Sequence, residues 1–194
     1  MNYQAYQELF ETILSDKHPL HPYDEPAYIN YTKLNQSRMK RWDKHLELNE
    51  ALVEKIKNLT SEQHWIIITE PWCGDAAHII PFLMRLAAEN ELITYDLQLR
   101  DSPPFLIESY LTGTSKSIPK LIVRDENGRD LFIWGPRPKE AQALFNTLKS
   151  NNVDFEASKI ALQNWYNEDK GRSLCNELLA LYDLQFPEPR EEAA

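Results

Sequence analysis

The residue best placed to act as a nucleophile is Cys73. A run of β-branched residues from Ile66 to Thr69 breaks at Pro71, and Trp72-Cys73-Gly74-Asp75 follows at once, ahead of a helix-compatible segment from Ala76. Strand, turn and helix start in that order carry one side chain to the open end of a sheet. Unpaired N–H groups and the positive end of the helix favour a negative charge there, here a thiolate. On this reading Cys73 is partly exposed and its pKa lies below the free value of about 8.5. Asp75 works against that, because a first-turn carboxylate disfavours a neighbouring anion. It serves either in proton transfer to the thiol or as a stabiliser of the helix start. The other cysteine, Cys175, lies between Leu174 and Leu178 on an apolar stripe and reads as core, with a distant resolving thiol as the alternative. Cys73, His78, His64 and Cys175 lack any close ligand spacing, so no metal site is expected. Gly113 to Ser117 has the ending of a phosphate loop without its upstream glycine or following helix, and no cofactor is expected.

Trp72-Cys73-Gly74 resembles the opening of the Trp-Cys-Gly-Pro-Cys active site of thioredoxins. Pro81, eight residues after Cys73, stands where that family kinks its active-site helix. Ser117-Ile118-Pro119 before Leu121-Ile122-Val123 is similar to the family's cis-proline and the strand after it, and Gly135 to the glycine of its last strand. The resemblance covers roughly residues 60 to 150. It implies a thioredoxin-like fold, a cis Ile118–Pro119 bond, and a substrate groove formed by Trp72, Gly74, Ile118 and Pro119 beside Cys73. A cis bond would leave the Ile118 backbone free to pair with an extended substrate. The departures matter equally. The second cysteine is replaced by Ala76, the intervening proline by Asp75, and the buried acid six residues before the first cysteine by Ile67. With the Trp134-Gly135-Pro136-Arg137-Pro138 run, the Trp-Cys-Gly-Asp motif resembles a bacterial branch of thioredoxin-like proteins.

The elements that must position these residues follow from periodicity. A short helix is expected over Tyr3–Leu14, then a loop, then one long helix or two consecutive ones between Tyr28 and Leu59. The nearly continuous apolar run His64–Glu70 is the central strand, buried on both faces. A helix from Ala76 to Glu89, a strand over Leu92–Leu99 and a short helix over Phe105–Leu111 come next. Strands at Lys120–Val123 and Leu131–Trp134 flank an Asn127-Gly128 hairpin turn. Helices over Lys139–Lys149, Phe155–Glu168 and Arg172–Leu184 complete the chain before a charged tail that should fray. This order is that of an α/β sandwich with a mixed central sheet flanked by helices. One domain is expected, with a helical extension over 1–60, a thioredoxin-like core over 61–150 and a second helical extension over 151–194. The extensions would cover sheet edges, lengthen the rim of the groove or form a homodimer interface.

Composition narrows the functions. Thirty acidic against 21 basic residues give a net charge of −9, and the cluster Lys33, Arg38, Lys40, Arg41, Lys44 reads as a solvated helix face, so nucleic acid is not an expected partner. No segment is long and apolar enough for a membrane span, no signal peptide is evident, and two cysteines make no disulfide framework, which suits the reducing cytoplasm. Glu70, His78, Arg100 and Arg137 fall near strand ends or helix starts but read first as surface residues. The resemblance thus implies a monothiol thiol–disulfide oxidoreductase that acts on protein or low-molecular-weight disulfides through Cys73. A peptide-binding module without turnover, and a cysteine redox sensor, are the alternatives.

Overall fold

The structure, a computed structural model, describes residues 1–187, and most of the tail expected to fray lies outside the described residues. The elements are α1 (Tyr3–Ser15), α2 (Pro26–His45), α3 (Glu50–Lys57), β1 (Gln63–Thr69), α4 (Gly74–Ala87), β2 (Ile93–Leu99), β3 (Lys120–Asp125), β4 (Asp130–Trp134), α5 (Lys139–Ser150), α6 (Phe155–Asp169) and α7 (Arg172–Gln185). The sheet order is β2-β1-β3-β4. The β1–β2 pair is parallel, with α4 as its crossover, and β1–β3 and β3–β4 are antiparallel. β1 is therefore central, and Trp65 to Thr69 are all buried, as a strand covered on both faces requires.

Alternation along β1 sends Gln63, Trp65, Ile67 and Thr69 to one face. Helices cover that face: the Tyr6 hydroxyl of α1 lies 3.0 Å from Thr69 Oγ1, and the Tyr182 hydroxyl of α7 donates to Gln63 Oε1 at 2.8 Å. β4 meets α7 as well, through a Trp134 Nε1–Glu177 Oε2 bond of 2.7 Å. Among the described residues no helix is long and apolar enough to cross a membrane.

Two details decide how the site is walled. The stretch from Tyr28 to Leu59 forms two helices, broken where Asn49 turns its side chain onto the Leu52 amide at 3.0 Å and so caps α3. α2 is pinned against the turn after β1 by Asn35, whose buried Nδ2 donates to Pro71 O at 2.9 Å. At the other end, Lys170 and Gly171 both adopt left-handed geometry between α6 and α7, with φ of 53° and 80°. A Cβ on Gly171 would lie 2.3 Å from the Phe82 ring, so only glycine lets α7 turn back over α4.

The segment after β2 departs from expectation. In place of a helix over Phe105–Leu111 there is one 3₁₀ turn, Leu106–Ser109. Pro103-Pro104 disfavours helical geometry in the residue before each proline, and Phe105 itself takes a left-handed φ of 56°.

Candidate active site

Cys73 is the N-cap of α4, with its amide donating to Glu70 O at 2.9 Å and its carbonyl receiving the Ala77 amide at 3.3 Å. Cys73 is only 7% exposed, and its Sγ donates to Ile118 O at 3.4 Å. Burial pushes the thiol up to about 12, the Asp75 carboxylate adds to the rise, and the Ala76 amide, Arg137 and the Asp75 amide oppose it. The expected exposed, acidified thiol is thus corrected. The helix start does favour the anion, but desolvation and a carboxylate two residues away outweigh it.

Trp72, Cys73, Gly74, Asp75 and Ile118 line one cleft of about 1250 Å³. Pro119 lies behind it, buried, and its peptide bond to Ile118 is cis. Gly135 backs this loop: at φ 115° it allows a close approach in which a Cβ would fall 2.4 Å from Pro119 O. The Ile118 carbonyl faces the Cys73 thiol, where the sequence comparison had left it free for substrate.

Asp75 has both oxygens engaged. Tyr166 of α6 donates its hydroxyl to Oδ1 at 2.8 Å, and Arg137, beyond β4, places Nη2 2.7 Å from Oδ2. Arg137 also lies over the Phe145 ring and donates Nη1 to Gln142 Oε1 at 3.1 Å. One carboxylate thereby ties the start of α4 to the chain after β4 and to α6. Trp72 is packed edge-on against Tyr28 of α2, and the Arg100 guanidinium sits 4.6 Å above its ring.

α2 and α6 form the two walls, so the supposed extensions belong to the site. Arg38 and Arg41, read from sequence as part of a solvated face, line the cleft, whereas Lys33, Lys40 and Lys44 do not. The Arg38 guanidinium rests beside Gly74, with Nη1 3.5 Å from where a Cβ on that glycine would stand. It donates to Asn35 Oδ1 at 2.8 Å and has no carboxylate partner among the described residues; burial, with Arg41 nearby, pulls its pKa below the ordinary guanidinium value. A signal for it was present, since Asn35, Arg38 and Trp42 share one face at helical spacing. Six cations and two carboxylates line the cleft of a chain whose net charge is −9.

His78 and Glu70 also differ from the surface placement expected. His78 is buried: Trp42 Nε1 donates to its Nδ1 at 2.9 Å, Nε2 meets Gln163 Oε1 at 3.2 Å, and its ring stacks on Tyr166 with centroids 4.4 Å apart. Burial, helped by Arg38, pulls His78 down to about 3, so the ring is neutral. Glu70 is buried away from the cleft lining. Burial pushes it up to about 7, opposed by the Asp101 amide that donates to Oε1 at 2.9 Å. Among the described residues no three His, Cys, Asp or Glu side chains gather to hold a metal ion. Cys175 is buried on α7, and burial raises its thiol too.

A mixed sheet with a cysteine at the start of its crossover helix, facing a proline loop, defines a thioredoxin-like protein. A family model described as Thioredoxin matches residues 22–149, more than half of the chain, and the protein belongs to that family. The match takes in α2 and α3, ahead of the residues on which the motif resemblance rested. A crystal structure of PA1234, a protein of unknown function from Pseudomonas aeruginosa, is similar with a TM-score of 0.55 and 15% identity over 94% of this chain and 98% of that one. An HIV epitope-scaffold of the 4E10 series is similar with a TM-score of 0.53 and 16% identity over the same shares, 94% and 98%. Identities this low speak for the fold alone. Among curated proteins none matches the sequence significantly.

Proposed function

We propose that the protein is a monothiol thiol–disulfide oxidoreductase of the Trp-Cys-Gly-Asp kind. The observation that carries this reading is the position of Cys73, the N-cap of α4, among the residues lining an open cleft, with Sγ facing the Ile118 carbonyl next to the cis Pro119. Sγ attacks one sulfur of a disulfide. A new S–S bond forms as the substrate's bond breaks, and the departing sulfur leaves as a thiolate that takes up a proton in place of the one lost from Cys73. A second thiol then attacks the mixed disulfide, releases Cys73 and carries off the bound half as a disulfide. No internal cysteine is needed, which suits Ala76 in the place of a resolving thiol. Asp75, held by Arg137 and Tyr166, orients the helix start.

With its thiol near 12, Cys73 carries only about one thiolate in 10⁵ at pH 7, so the reaction proceeds through a rare but strongly nucleophilic anion. Alkylation by a small neutral reagent should therefore quicken about tenfold per pH unit from pH 7 to 10 with no plateau, the Cys73 peptide being read by mass spectrometry. A plateau near pH 7 would show an acidified thiol instead. The same protonated thiol favours a second reading, a binding module that holds a ligand in the cleft without turnover. Mixed-disulfide trapping from lysate separates the two: capture that vanishes in Cys73→Ser supports the oxidoreductase, and association that persists in Cys73→Ser supports the binding module.

A further inference from the structure

The cleft differs from an ordinary substrate groove in two ways that together limit what enters it. Cys73 is 7% exposed and lies between α2 and α6, so a disulfide on the surface of a folded protein meets both helices before it meets the thiol. A small molecule does not. The second difference is chemical. Arg38 Nε, Arg137 Nε and Trp72 Nε1 are all enclosed without a protein acceptor, and all three side chains line this cleft. Each is a donor. Arg38 has no carboxylate partner among the described residues and lies against Gly74, next to the sulfur. Unpaired donors and uncompensated guanidinium charge are relieved by acceptor oxygens that carry negative charge. The aromatic walls, Tyr28, Tyr31 and Phe155 among them, leave room for more than a bare anion.

We propose that the substrate of Cys73 is a low-molecular-weight disulfide bearing carboxylate or phosphate groups, bound with its acidic end on Arg38 and Arg137 and one sulfur over Cys73. This rests on the oxidoreductase reading for its chemistry but on the cleft alone for its charge preference. Cys73 forms a mixed disulfide with one half of the molecule, and the other half leaves as the free thiol after taking up a proton. A different low-molecular-weight thiol, the reductant, then attacks the substrate sulfur of the mixed disulfide, restores the Cys73 thiol and leaves as a disulfide joined to the bound half.

The test uses the full chain and four disulfides of different charge: glutathione disulfide, coenzyme A disulfide, neutral 2-hydroxyethyl disulfide and cationic cystamine. Mixed-disulfide formation at Cys73 is followed by peptide mass spectrometry, each rate being divided by that for the urea-unfolded chain. The anionic disulfides should exceed cystamine by at least tenfold, and the gap should narrow several-fold in Arg38→Gln and be largely kept in Arg38→Lys. Preference for glutathione disulfide identifies carboxylates as the bound groups; preference for coenzyme A disulfide identifies phosphates. Equal rates, or faster cystamine, overturn the inference while leaving the oxidoreductase standing. If no disulfide reacts, the oxidoreductase reading fails, and the charge preference is decided by calorimetry on Cys73→Ser with S-methylglutathione and S-methyl-coenzyme A. Binding of either that weakens about tenfold in Arg38→Gln upholds the anion site; no binding of either overturns it.

Discussion

Two sets of polar side chains meet on α4, and they are built in opposite ways. Around His78 the groups answer one another: Trp42 Nε1 finds His78 Nδ1, His78 Nε2 finds Gln163, Gln163 Nε2 finds Asn167 at 3.0 Å, and Tyr166 stacks on the ring while bonding Asp75. Around Cys73 they do not: Arg38, Arg137 and Trp72 keep enclosed donors without protein acceptors, and the thiol is held in its neutral form. A polar cluster that closes its hydrogen bonds on itself stabilises the fold. One that leaves donors open is suited to a ligand and contributes less to stability. The four expectations that follow test this contrast, beginning with the largest effect.

The closed cluster should give way in acid. His78, down to about 3 when folded against an ordinary 6.5, contributes stability that is full above pH 6.5 and is lost as pH falls toward 3, by about 5 kcal/mol in all. Glu70 acts in the opposite sense: raised to about 7 from 4.5, its contribution is full below pH 4.5 and is lost as pH rises through 7. The two oppose each other between pH 4.5 and 6.5. Urea unfolding across pH should accordingly show Glu70→Gln losing stability with acid already from pH 6.5, where the unmodified chain is flatter. Identical profiles for the two proteins would remove Glu70 from the argument.

Next in size, Gly171→Ala drives a methyl into Phe82, which packs on Trp42 with ring centroids 5.2 Å apart, and does so at a positive φ. A loss of about 3 kcal/mol is expected in the same unfolding assay. His78→Leu removes the acceptor of the buried Trp42 N–H and should cost about 2 kcal/mol, less if a rotated Trp42 finds another partner. Smallest is Arg38→Met in the open cluster. It removes an enclosed unpaired donor and keeps the aliphatic bulk, but it also takes the donor from buried Asn35 Oδ1, so a loss of about 1 kcal/mol is expected. A loss of more than about 2 kcal/mol would mean that Arg38 is part of the scaffold and that the contrast is false.

The contrast also explains what could be read from the sequence. Cys73, its helix start and the Ile118-Pro119 loop are local patterns, each set by a few consecutive residues; Cys73 and Ile118 fall in one cleft together with Trp72, Gly74 and Asp75, and Pro119 lies behind it. The central strand and the hairpin at Asn127-Gly128 were legible for the same reason, alternation and turn chemistry being short-range. Arg38 shares a helix face with Asn35 and Trp42, but neither it nor Tyr166 could be assigned to the site, because nothing near them in sequence says that α2 and α6 close over residue 73. That closure reverses the expectation for the thiol: the helix start was legible, the desolvation was not. His78 was placed at the surface because a polar residue on a helix carries no mark of the Trp42 and Gln163 that will surround it. The 3₁₀ turn at Leu106–Ser109 failed differently, since a left-handed Phe105 contradicts a pattern that was otherwise helical.

The bonds that Asp75 makes to Arg137 and Tyr166 also set an order of events during synthesis. Every strand of the sheet has left the ribosome once Trp134 has, yet the carboxylate beside the thiol still lacks both of its partners at that moment, and the second, on α6, is made later than α5. In a nascent chain all four strands are therefore present before Asp75 has either partner, and the α6 wall of the cleft and the α7 cover on β1 are the last to be added. A chain stopped after α5 would be expected to lack that wall, with Asp75 left to Arg137 alone.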